Sequence, residues 1–107
     1  MLNLYKCPKV TGSGFTNLSN LKELHCDECY NLEKDNLISL LKCALNLKLL
    51  NLRFCNYIHK SVLDAAVEVT KNRKNNVKLE IRFHYCPYGI IYGIDRPPLL
   101  LLISYED

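Results

Sequence analysis

Residues 46–58 read NLKLLNLRFCNYI, and one phrase inside them decides the fold: Leu50-x-Leu52, Cys55 three residues on, then Ile58 and Leu63. The same phrase occurs twice upstream, as Leu2-x-Leu4, Cys7, Val10, Phe15 and as Leu24-x-Cys26, Cys29, Leu32, Leu37. Alternating apolar residues have the period of a strand, and apolar residues five apart belong to a turn leading into a helix. Cys7 to Cys29 is 22 residues and Cys29 to Cys55 is 26, so one apolar lattice recurs in phase. A lattice of this kind marks stacked units that cannot bury their apolar faces singly. Each unit contributes one short strand and one helix, which makes the fold class α/β.

Helix signals are clear in two units. Asp35 is placed to cap a helix whose Leu37, Leu40, Leu41 and Ala44 fall on one face. Ser61 with Asp64 has the form of a capping box ahead of Val62, Ala65, Ala66 and Val69. A fourth strand is expected over Val77 to Phe83, where Leu79 and Ile81 keep the phase and His84 takes the place of the cysteine.

The lattice resembles the leucine-rich repeat of the cysteine-containing subtype, known from F-box proteins and from the related antagonist of mitotic exit. The residues that carry the resemblance are Leu21-x-x-Leu24-x-Cys26, Leu47-x-x-Leu50-x-Leu52, the ladder cysteines Cys7, Cys29 and Cys55, and Cys43 near a helix end. It implies a right-handed β/α horseshoe segment, a solenoid of three to four repeats across residues 1–83. Residues 84–107, with Cys86-Pro87, two glycines, Pro97-Pro98 and the apolar run Leu99 to Ile103, are expected to cap its open end. The first unit begins at its strand, so the chain is expected to be the C-terminal piece of a longer protein.

The chain has 107 residues, 49% hydrophobic and 23% charged, the composition of one small globular domain. A secretory leader is not expected, because no charged start precedes an apolar stretch. Leu99 to Ile103 is too short to span a bilayer, and no membrane partner is expected. The six cysteines are read as reduced, because three of them share one lattice position where side chains stack instead of pairing. The expected setting is cytoplasmic or nuclear, where the sequon Asn17-Leu18-Ser19 would be idle. A formal net charge of +3 is too small to argue for nucleic acid. The denser basic stretch from Lys60 to Arg82 fits a solvated helix face.

Cys26-Asp27-Glu28-Cys29 is a C-x-x-C motif, and with His25, His59 or His84 it offers zinc ligands on paper. A structural zinc site takes four, usually as two close pairs, and the second pair is missing. The lattice accounts for the motif without metal, since Cys26 holds an inward strand position and Cys29 is the ladder residue. No cofactor is expected. No nucleophile elbow, phosphate-cradling loop or His-Glu-x-x-His helix is present, and no enzyme activity is expected.

The informative surface is the outward face of the strands. Side chains alternate along a strand, so the residues flanking the buried positions point away from the core. These are Asn3 and Tyr5, then Glu23, His25 and Asp27, then Leu49, Asn51 and Arg53, then Lys78, Glu80 and Arg82. Aromatic, acidic and arginine side chains side by side are the mixture that protein partners use. The partner expected there is a protein substrate or a regulatory protein. The resemblance implies the substrate-recognition part of an F-box receptor of a cullin-based ubiquitin ligase, with the adaptor bound only where an F-box exists upstream. The alternative is a stand-alone regulatory protein like the antagonist of mitotic exit, without a ligase role.

Overall fold

In the computed structural model, residues 1–7, 9–15, 18–55, 58–84 and 97–105 are described. The elements follow in the order β1 (Leu2–Asn3), β2 (Glu23–His25), α1 (Lys34–Cys43), β3 (Leu49–Leu52), α2 (Lys60–Lys71), β4 (Leu79–His84) and β5 (Leu100–Tyr105). The strands form a five-stranded parallel sheet in chain order. The chain is therefore an α/β protein with two helices.

The register repeats the sequence lattice. Leu2 lies opposite Leu24, Leu24 opposite Leu50, Leu50 opposite Ile81 and Ile81 opposite Leu102. These side chains point to one face, where Leu37, Leu40 and Leu41 of α1 and Val62, Leu63 and Ala66 of α2 join them in one core. Burying a leucine fully contributes about 1.5–3 kcal/mol, so this row and the helix stripes dominate the stability. The two helices also pack on each other.

The turns after the first three strands are copies of one another. Lys6, Glu28 and Phe54, each directly before a ladder cysteine, have φ of 54°, 60° and 60°. A left-handed non-glycine residue costs about 1–2 kcal/mol, so the surrounding contacts must hold it. Lys6 N–H donates to Asp27 O at 2.8 Å and Glu28 N–H to Arg53 O at 3.0 Å, continuing the parallel ladder past the strand ends. The Cys29 thiol donates to Leu4 O at 2.8 Å, and the Cys55 thiol repeats this on Cys26 O at 2.9 Å. Each thiol thus reaches the carbonyl of the preceding unit. Cys7, in the first unit, donates instead to Tyr5 O at 3.6 Å. The five described cysteines are all free thiols.

Burial pushes the Cys55 thiol up to about 12, and it also raises Cys29 and Cys26, the latter helped by neighbouring Cys29 and Cys55. The unfolded chain ionises these thiols near the ordinary value of 9.0, while the fold keeps them protonated. The unfolded state then binds fewer protons, and stability falls as pH rises above that value. The urea midpoint is expected to be flat up to neutral-alkaline pH and to drop steadily above the ordinary thiol value. A serine at Cys55 should flatten part of the drop, and a titration by circular dichroism checks both.

Three expectations are corrected. Asp35 does not cap α1: Glu33 holds the N-cap without a side-chain bond, and Asp35 sits in the first turn, where a carboxylate still favours the helix dipole. Ser61 does not cap α2 either. His59 does, its Nδ1 accepting from Ser61 N–H at 3.1 Å, while Asp64 pairs with Lys60 at 3.1 Å. The buried stripe accordingly runs Val62, Leu63, Ala66 and Thr70, with Ala65 and Val69 only half-buried. Thr70 is tolerated because its hydroxyl donates to Ala66 O at 2.7 Å. The phase of the fourth unit also differs. Leu50 faces Ile81 and Leu52 faces Phe83, so His84, the last residue of β4, takes the position of Arg53 and not that of Cys55, and Cys86, outside the described residues, is the residue three beyond Phe83. Leu79, Ile81 and Phe83 are all inward and buried, and three apolar alternations in a row fit either phase.

Of residues 84–107, Leu100–Tyr105 extends the sheet beside β4, with Leu100 and Leu102 buried and Leu101 outward.

Candidate interaction face

Both helices contribute to the inward core, and the opposite face of the sheet is built from stacked rows. Glu23, Leu49, Glu80 and Leu101 form one row, and Asn3, His25, Asn51, Arg82 and Ile103 the next. Beyond the strand ends come Asp27 and Arg53, while His84 and Tyr105 pair across β4 and β5. Of the residues expected from the sequence, Asn3, Glu23, His25, Leu49, Asn51, Glu80 and Arg82 lie in the paired rows, while Tyr5, Asp27 and Arg53 lie past their strands and Lys78 precedes β4.

Polar groups on this face meet one another: Glu23 Oε1 lies 3.1 Å from His25 Nε2, Asp27 pairs with Arg53 at 3.2 Å, and Glu80 with Arg82. Asn3 and Asn51, at equivalent positions, each accept a backbone N–H two residues on, from Tyr5 at 3.0 Å and from Arg53 at 3.2 Å. These bonds are of the Asx-turn type and fix the strand ends. Asn51 also approaches His25 Nδ1 at 3.4 Å.

Exposure divides the set into supports and contacts. Asn51 is 3% exposed and Asp27 7%, so they brace their neighbours, whereas Tyr5 at 54% and Phe54 at 45% reach solvent. Asp27, an acceptor within reach of Arg53, holds the guanidinium over the Tyr105 ring at 5.1 Å. His84 stacks on Phe54 with centroids 4.2 Å apart and lies 5.5 Å from Tyr105. The Phe54 N–H donates to His84 Nδ1 at 3.2 Å, which fixes the ring. The result is an arginine and two aromatic rings gathered at the carboxyl ends of the strands.

Sequence reasoning missed Phe54, His84, Leu101, Ile103 and Tyr105 as members of this face. The signal for His84 was the phase of Ile81 and Phe83 against Leu50 and Leu52. For Tyr105 it was the alternation of Leu100 and Leu102 carried three residues further.

Among the described residues, no three His, Cys, Asp or Glu side chains converge as metal ligands, and no helix is long and apolar enough to cross a membrane. Compared with known proteins, the chain matches no family model, no curated protein and no solved structure.

Proposed function

We propose that this chain is a protein-interaction module of the leucine-rich-repeat type, cysteine-containing subtype, and that it recognises its partner with the outward face of the sheet. The observation that supports the repeat reading most is the pair of ladder thiols, Cys29 and Cys55, each donating to the carbonyl one unit back. Support for partner recognition comes from the aromatic and arginine anchors at Phe54, Arg53 and Tyr105, the side-chain types that dominate binding energy at interfaces. In this reading the array is a short solenoid of the β/α horseshoe kind, working in the cytoplasm or nucleus as the substrate-recognition part of an F-box receptor. A cullin-based ligase assembled through an F-box elsewhere would then perform the chemistry, and this chain would contribute selectivity and placement.

The test is affinity capture from cells with the intact chain and with a double variant, His25→Ala with Arg53→Gln. Glutamine keeps a donor beside Asp27, so the fold is expected to survive by circular dichroism. Partner recovery is expected to fall about tenfold or more, the effect of removing an interface anchor. Unchanged recovery contradicts the face assignment. A cullin adaptor recovered with the partner supports the ligase role, and a partner recovered without it favours a stand-alone regulatory protein.

A further inference from the structure

The amino-terminal rim of the same sheet carries a feature that the aromatic cluster does not use. A groove of about 510 Å3 lies there, lined by Lys48, Asn76, Val77, Lys78, Glu80 and Leu101. Its apolar part is Leu101, 42% exposed, with half-buried Val77 beside it. Both lysines are exposed, and among the described residues neither forms an ion pair. The one carboxylate in the groove, Glu80, is already engaged by Arg82.

The groove is also held in shape. Asn76 is left-handed with φ 58°, and Asn75 Oδ1 accepts from Val77 N–H at 3.1 Å. The Asn75 amide donates to Leu45 O at 3.0 Å, and Lys48 N–H donates to Lys22 O at 2.7 Å. A preformed site with fixed walls loses little ordering entropy on binding.

We infer that this groove takes an extended acidic peptide segment, with an apolar side chain on Leu101 and Val77 and carboxylates facing Lys48 and Lys78. The inference rests on the proposed function and deepens it by giving the partner's chemistry at one end of the face. A protein segment fits better than nucleic acid, because the floor is aliphatic and the lining has no aromatic ring for bases to stack on.

The experiment is a fluorescence-anisotropy titration of the full chain with a labelled peptide of alternating glutamate pairs and leucine, and in parallel with a single-stranded oligothymidylate. Lys48→Glu with Lys78→Glu is expected to weaken the peptide about tenfold or more at low salt, in keeping with paired rim charges acting together. Lys9→Glu with Lys34→Glu makes the same change of net charge at exposed positions elsewhere and is expected to leave binding within about twofold, as screened distant charges should. The inference is overturned if the peptide does not bind, if both double variants weaken it equally, or if the oligothymidylate binds more tightly. Failure here, with partner capture still sensitive to His25→Ala and Arg53→Gln, removes the groove and leaves the proposed function standing. Failure of both removes both.

Discussion

Cys29→Asp is expected to destabilise the protein by about 3–5 kcal/mol, most of the stability of a domain at the low end of the usual range. Cys29 is 1% exposed, its thiol donates to Leu4 O, and it packs among the core residues of the first two units. A carboxylate there loses its water, brings no donor to the Leu4 carbonyl and stands beside Cys26 without a cationic partner. An unpaired buried charge costs several kcal/mol, about 3–5, against a total stability of about 5–15 kcal/mol for a domain. Cys29→Ser keeps a donor and nearly the same volume, and its cost is expected to stay near 1 kcal/mol. Urea unfolding followed by circular dichroism checks both. A Cys29→Asp protein as stable as the parent would mean that this position is open to water and that the repeated turn is not packed as described.

The second large effect is expected at Arg73. Its Nη1 donates to Leu47 O and to Val77 O, each at 2.9 Å, and its Nη2 to Ala44 O at 3.4 Å. One guanidinium thus joins the C-terminal end of α1 to the segments leading into β3 and β4. Partial burial lowers its pKa through desolvation, yet a guanidinium remains charged at any ordinary pH. Arg73→Met keeps the apolar stem but leaves three carbonyls without that donor. Hydrogen bonds from a charged group contribute about 1.5–3 kcal/mol, and orphaned acceptors add to the loss, so a cost of about 2–4 kcal/mol is expected. Arg73→Lys should recover less than half of it, because a single ammonium lacks the planar fork that spans both sides. Amide exchange in β4 is expected to quicken more than in β2, since the clamp lies next to β4. A loss below about 0.5 kcal/mol, the level of an ordinary surface change, would show that the clamp carries no load.

The cost of these two substitutions follows from different kinds of information. Cys29 was legible as a buried lattice residue because Cys7, Cys29 and Cys55 share one phase, and the parallel strands and inward leucine rows follow from the same phase. Arg73 was not legible. It reads as one of several cations in a basic stretch, and nothing local indicates carbonyls that lie 26 and 29 residues away at Leu47 and Ala44. The left-handed residues at Lys6, Glu28 and Phe54 were equally hidden, because none is the glycine or asparagine that usually announces such a turn.

Helix starts were misplaced for a related reason. Glu33 and His59 are unremarkable as caps by residue type, and Asp35 and Ser61 attract the assignment, yet the chain geometry at each turn sets where the first helical residue falls. The rows of the outward face were legible as alternation. Burial within it was not, since Asn51 and Asp27 are covered by neighbours on adjacent strands, which one sequence shows only after the register is fixed. His84 and Tyr105 were missed because Leu79, Ile81 and Phe83 allow two phases, and only pairing with β3 and β5 chooses between them.

The central claim is that the outward face of the sheet is where a protein partner sits. Site-specific photocrosslinking in cells tests it most directly, with the crosslinker placed at Leu49 on that face or at Lys42 on α1. Discrete protein adducts from position 49 and none from position 42 are the result expected here. Adducts from position 42 alone would place the partner on the helices and contradict the account.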